Sequence, residues 1–137
     1  MSLVDDFRVA ARGSRFHIVF ACGSNGKYEA EEFLDELKND ANGIRHYVAL
    51  YSLFERMAET GLIFNREQFK KVDGDIWEFK KFQCRILGFF AETGRGMKCF
   101  FLTNGCKKKG DKLSPQVVER AKRIRSEWLV MLKEQRQ

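Results

Sequence analysis

Apolar and polar positions alternate from Arg15 to Cys22 (RFHIVFAC), with Phe16, Ile18, Phe20 and Cys22 on one side and His17, Val19 and Ala21 on the other. A period of two over this length predicts a β-strand with a partly apolar second face. Gly23-Ser24-Asn25-Gly26 reads as a turn, and Ser24 or Asn25 can cap the helix after it. The period then changes. Ala30, Phe33, Leu34 and Leu37 recur at helical spacing within Lys27 to Lys38. Glu29, Glu31 and Glu32 fall in the early turns and Lys38 at the end, the order the helix dipole favours. Asn42-Gly43 interrupts the chain. A second helix is expected over 44–60, with Ile44, Tyr47, Val48, Tyr51, Phe54 and Ala58 as its stripe and Gly61 as its C-cap. The short link makes the two helices an antiparallel hairpin.

Residues 62–75 read as a loop with short apolar pieces. Three strands come next, at 76–82 (IWEFKKF), 84–91 (CRILGFFA) and 98–104 (KCFFLTN), and they form an antiparallel meander. Gln83 sits in a tight connection, and Glu92-Thr93-Gly94-Arg95-Gly96 suits a hairpin loop. A basic loop, NGCKKKGDKLS, leads to Ser114-Pro115, which opens a last helix with Ser as N-cap and Pro at the first helical position. Its stripe is Val117, Ala121, Ile124, Trp128 and Met131. The order β-α-α-β-β-β-α describes an α+β domain: a small antiparallel sheet with the helical hairpin on one face and a C-terminal helix. The first strand must join the meander, because an isolated strand leaves its backbone groups unbonded. Residues 1–14 stand apart as an N-terminal extension, free to be flexible.

Composition sharpens this picture. A length of 137 residues suits one domain, and 13 phenylalanines within 44% hydrophobic residues provide a real core. No apolar run approaches the roughly 18 residues of a membrane helix. Asp5 and Asp6 lie where a signal peptide would have its apolar core, so a cytoplasmic location is expected. The net charge of +6 is unevenly divided. Residues 1–65 hold 7 Lys and Arg against 10 Asp and Glu, and residues 66–137 hold 18 against 9. A basic half suggests a polyanionic partner. The four cysteines, at 22, 84, 99 and 106, include no CxxC pair and have no nearby histidine, which argues against structural zinc. Cys84 and Cys99 lie in apolar runs, where Cys acts as a small hydrophobe.

Alternation places Trp77 and Phe79 on one face of their strand, and Glu78 and Lys80 on the other. Arg85, Leu87 and Phe89 share a face of the next strand. Burying a charge is costly, so Glu78, Lys80 and Arg85 are expected together on an open sheet face, with Lys107, Lys108 and Lys109 overhanging it. That set is either a basic site carrying one carboxylate or a solvated face with cross-strand ion pairs. No HExxH, P-loop or GxSxG motif is present. His17 and His46 read as structural or surface residues, and Asp73, Asp75 and Glu78 are too scattered to suggest a magnesium site. No cofactor is implied.

The runs IWEFK at 76–80, CRILGFF at 84–90, CKKKGDKLSP at 106–115 and ERA at 119–121 resemble, as a set, the phage-derived HigB-like branch of the RelE/ParE toxin superfamily. Lys80 stands where Arg is common, and Gly88 where Tyr is frequent. The resemblance covers residues 15–134 in element order. It implies a RelE-like toxin domain over 15–137, belonging to a type II toxin–antitoxin system. It also implies a ribosome-dependent mRNA endoribonuclease that cuts in the A site by attack of a ribose 2′-OH on the adjacent phosphate, without metal. The implied partner is an antitoxin, a small helix-turn-helix protein encoded next door. In that reading Arg85 clamps phosphate, Lys80 and Lys108 transfer protons or contact phosphate, and Glu78 orients Lys80 or Arg85. Lys107, Lys109 and Lys112 contact phosphate, while Arg120 and Arg123 track RNA or pair with the antitoxin. The alternatives are a degenerate toxin that binds its antitoxin without catalysis, and a ParE-like gyrase poison.

Overall fold

The computed structural model describes residues 7–108 and 112–134. They form β1 (Val9–Arg12), β2 (His17–Phe20), α1 (Glu29–Lys38), α2 (Ile44–Thr60), β3 (Phe69–Asp73), β4 (Ile76–Lys81), β5 (Cys84–Glu92), β6 (Lys98–Lys107) and α3 (Pro115–Glu134). The α+β class is as expected, but the sheet is larger and mixed. Its order is β1-β2-β6-β5-β4-β3. The meander β4-β5-β6 is antiparallel, and β2 joins it by pairing parallel to β6, from His17 opposite Cys99 to Phe20 opposite Leu102.

Two strands come from segments expected to be irregular. Val9–Arg12, within the stretch set apart as an extension, pairs antiparallel with β2. Phe69–Asp73, within the expected 62–75 loop, pairs antiparallel with β4 through the turn at Gly74, whose φ is 56°. These are the two edges of the sheet, and β3 carries Lys70 and Lys71, charges of the kind that discourage edge-to-edge association.

Helices cover both faces, which corrects the expectation that one face is open. On one face Leu34 and Leu37 of α1 and Leu50, Phe54 and Met57 of α2 pack with Ile18, Phe20, Phe79, Ile86, Phe100 and Leu102. On the other, Ala121, Ile124, Trp128 and Leu132 of α3 pack with Val19, Ala21, Leu87, Phe89 and Phe101. Parallel pairs are characteristically covered on both sides, and β2 and β6 meet that condition: Ile18, Val19, Phe100 and Phe101 are all fully buried.

Two helix ends follow local chemistry, while α1 and α2 both start without a side-chain cap. Gly61 caps α2 in the left-handed region, and the Ser114 hydroxyl accepts from the Val117 N–H at 3.4 Å at the start of α3. At α1 neither Ser24 nor Asn25 is the cap. Tyr28 occupies that position without a side-chain bond, and the Asn25 side chain instead accepts from the Lys27 N–H. Val117 and Met131, expected in the apolar stripe of α3, are only half-buried, while Val118 and Leu132 are buried.

An irregularity in β5–β6 sets up the far end of the sheet. Leu87 lies opposite Asn104, but Gly88 lies opposite Leu102, so Thr103 is an extra residue. Such a bulge re-phases the strand. Phe101 and Asn104 therefore point to the same side, where Asn104 donates to the Val117 carbonyl of α3 at 3.2 Å. Gly88 sits at this point, and a Cβ there would collide with the Phe100 ring and the Phe101 carbonyl oxygen. A tyrosine at 88 has no room here. Among the described residues no helix is long and apolar enough to cross a membrane.

Candidate functional site

The cross-strand register gathers three of the expected residues. Lys80 lies directly opposite Arg85, and Glu78 lies two residues along β4, so all three share the α3 side of the sheet. The bulge adds a fourth, because it turns Cys106, opposite Arg85, to the same side. The shared face expected from alternation is thus present. Its openness is not: Glu78 is fully buried, Arg85 is 2% exposed and Lys80 is 8% exposed.

Buried charges need partners, and the contacts show how these are held. Arg85 donates through Nη1 to the Phe82 carbonyl at 2.8 Å and the Cys84 carbonyl at 3.1 Å, so its guanidinium ties down the β4–β5 turn. Glu78 faces the Lys70 ammonium of β3 at 3.8 Å. Lys80 reaches Glu67 at 3.3 Å, at the boundary with solvent. Burial pushes the Cys106 thiol above its ordinary range, opposed by the Arg85 guanidinium; Glu78 raises it further and Lys108 lowers it.

Glu78 is also part of the wall of an open groove of about 420 Å³ between β3 and the start of α3. Arg66, Lys70, Lys71 and Lys112 line the same groove. Asp73 and Glu119 line it too, both paired with Lys122, so the four cations face one buried carboxylate and two committed ones. The groove can take an anion against its Lys70 and Lys112 rim, with Arg85 and Lys80 alongside on the same sheet face.

The remaining expected residues are distributed differently. Lys107 is exposed at the end of β6, and Lys108 comes next, with its N–H bonded to the Gln83 carbonyl at 2.7 Å. Lys109 lies outside the described residues. Arg120 and Arg123 do not join the groove. Arg120 pairs with Glu29 of α1 at 3.3 Å, and Arg123 with Glu127 at 3.9 Å. Arg66 and Lys70, by contrast, were not singled out from the sequence. The alternation within FKKVD, which puts Lys70 level with Glu78, was the signal for the second of them.

The profile of the phage-derived protein Gp49-like family (DUF891) matches residues 32–126, from α1 to the middle of α3. The chain belongs to this family. The match takes in β4, β5, β6 and the whole set of groove residues. Gp49-like proteins are associated with the toxins of toxin–antitoxin systems. A search of curated proteins finds no match. For this Gp49-like chain the site is therefore described by its own geometry: a buried Glu78–Lys80–Arg85 cluster, with a groove of mixed charge over its Glu78 end.

Proposed function

We propose that this Gp49-like protein is the toxin of a type II toxin–antitoxin pair, of the HigB-like, RelE-fold kind, and acts as a ribosome-dependent mRNA endoribonuclease. The observation that carries the reading is the groove in which Lys70, Lys112 and Arg66 ring the buried Glu78, on the sheet face that also holds Lys80 and Arg85. Cleavage of RNA by its own 2′-OH suits such a set. The 2′ oxygen bonds to the adjacent phosphorus and gives up its proton. The bond from phosphorus to the 5′ oxygen breaks, and that oxygen takes a proton. The products are a 2′,3′-cyclic phosphate and a 5′-hydroxyl, with no covalent enzyme intermediate.

In this reading Lys70 and Lys112 hold the phosphate oxygens at the rim. Arg85 and Lys80 supply positive potential beneath the developing phosphorane charge, where fixed cations act strongly. Glu78 orients Lys70 and the cluster around it. Proton transfer by a positioned lysine contributes about 10²- to 10⁴-fold. The ribosome supplies the rest by presenting a single messenger strand in place, since phosphate contacts alone carry no sequence information.

One observation favours a second reading. Arg85 and Glu78 are as buried as core residues, which also fits a scaffold that binds an antitoxin without chemistry. A translation reaction with purified ribosomes and a defined message, analysed by primer extension, separates the two. The expected result is discrete A-site cuts, reduced at least about tenfold by the double substitution Lys70→Ala with Lys112→Ala. Absence of cuts by folded wild-type protein would sink the endoribonuclease reading.

A further inference from the structure

The turn joining β4 to β5 consists of Phe82 and Gln83, between the paired residues Lys81 and Cys84. Phe82 has φ of 55°, and among the described residues it is the only one other than glycine with a positive φ. Glycine, asparagine or aspartate takes such a turn position readily, and a bulky side chain does not. The strained backbone does serve the fold, because it aims the Phe82 carbonyl at the Arg85 guanidinium. A glycine would do the same. The phenyl ring itself is not needed for that bond, and it is 59% exposed rather than packed in the core. Neither turn chemistry nor burial accounts for an aromatic residue here.

Its surroundings do. The His46 ring lies 4.6 Å from the Phe82 ring, tilted by 40°, and the Lys81 ammonium lies 5.5 Å from it. Arg45, His46, Phe82, Gln83 and Lys107 line one cleft of about 420 Å³. Arg45 and His46 stand in the first turn of α2, which has no acidic residue, although cations are disfavoured at that end of a helix. Among the described residues neither Arg45 nor Lys107 enters an ion pair. A largely exposed aromatic residue, backed by the His46 ring and sharing its cleft with two uncommitted cations, matches the two halves of an unpaired nucleotide: a flat base to stack and a phosphate to neutralise.

We infer that the tip of the β4–β5 hairpin is a stacking site for an unpaired base of single-stranded RNA, with Phe82 as platform and Arg45 and Lys107 as its phosphate contacts. The choice of RNA rests on the endoribonuclease reading above. The site itself rests on the turn. The cleft lies on the α2 side of the sheet and the charged cluster on the α3 side, and the Phe82 carbonyl, which accepts from Arg85, joins the two through one turn. An acidic peptide would satisfy the cations but leave the ring face without a flat partner.

The test is a fluorescence-anisotropy titration of a labelled single-stranded octaribonucleotide of mixed sequence, with thermal midpoints measured in parallel. Phe82→Gly relieves the backbone strain while removing the ring. It is expected to melt no lower than wild type and to bind the RNA about tenfold or more weakly. Phe82→Tyr keeps the ring and is expected to bind within about twofold of wild type. Equal affinity of wild type and Phe82→Gly, no binding by wild type, or a sharp fall in the Phe82→Gly midpoint would each overturn the inference. So would ring-dependent capture of a protein with RNA binding unchanged. The ribosome assay reads the other question separately. A-site cutting with ring-independent RNA binding keeps the endoribonuclease reading and removes the stacking site. Ring-dependent binding without cutting does the reverse.

Discussion

Arg85→Ala should be among the most destabilising single substitutions in the chain. The guanidinium is 2% exposed and donates to two backbone carbonyls, of Phe82 and Cys84. Truncation leaves those two acceptors without this donor, opens a large void and strips positive charge from the neighbourhood of buried Glu78. Breaking a buried charged network from one side costs about 3–5 kcal/mol, and the truncated volume adds to it. Against a total stability of about 5–15 kcal/mol this is a large fraction. For a chain of this size each kcal/mol moves the thermal midpoint by about 3–4 °C, so a fall of about 10–20 °C is expected. Arg85→Lys should lose about half as much, since an ammonium keeps the charge and can still donate to the carbonyls that Nη1 reaches but leaves the volume of the planar guanidinium unfilled. Calorimetry and urea unfolding read the effect, with Lys112→Ala, on the exposed rim, as a control expected within about 0.5 kcal/mol of wild type. A loss below about 1 kcal/mol for Arg85→Ala would refute the reasoning. It would mean that the guanidinium stands in solvent, as strand alternation alone suggested, and that the sheet face is uncovered in solution.

Gly88→Ala should cost about 2–3 kcal/mol, because the new methyl group meets the Phe100 ring and a backbone oxygen that cannot move independently; the urea midpoint measures it, and a loss under about 0.5 kcal/mol would show that β5 and β6 are further apart at the bulge. His17 is held below its ordinary pKa by burial, with Arg12 adding to the effect. Its neutral form is therefore favoured in the fold, so its contribution is present above about pH 6.5 and is lost as the pH falls below that value. Stability measured between pH 7.5 and 5 should decline less in His17→Gln than in wild type, and parallel curves would remove the assignment.

The central elements were legible in the sequence for physical reasons. The cap at Gly61 and the Ser114-Pro115 start of α3 are local signals, and the structure keeps them, whereas the stripe of α2 is turned: Phe54 and Ala58 are buried as expected, Ile44 and Val48 are exposed, and Leu50, Leu53 and Met57 take their place in the core. The shared face of Glu78, Lys80 and Arg85 comes from strand periodicity and a two-residue turn, which together fix the register. The cover over that face cannot be had from periodicity. Alternation says which residues point the same way, whereas burial depends on α3 crossing from the far end of the chain. Strand β1 was missed because Val-Ala-Ala-Arg is short and carries two alanines, poor strand formers. Strand β3 did carry a signal in Asp73-Gly74, a dipeptide suited to a tight hairpin turn, but its two lysines weakened the apolar alternation. The extra residue at Thr103 has no local signature, so nothing in the sequence announced that Cys106 would come to lie opposite Arg85 on the charged side.

The parallel pairing of β2 with β6 has a consequence for how the chain reaches its fold. His17 pairs with Cys99, about 80 residues further along, and every strand of the sheet other than β1 reaches β2 only through β6. Until β6 is in place, β1 and β2 are a two-stranded ribbon, which is marginal in water by itself. The α1–α2 hairpin and the β3–β4 turn can form from near neighbours, but closing the sheet waits for a long loop to be drawn together. Folding is therefore expected to be limited by this one late contact, and an α/β chain so wired folds more slowly than its local helices suggest. A nascent chain that has not yet reached residue 98 has no partner for the inner edge of β2, so the β4–β5 hairpin, with its charged cluster and tip, joins β1 and β2 in one sheet only after the last strand is made.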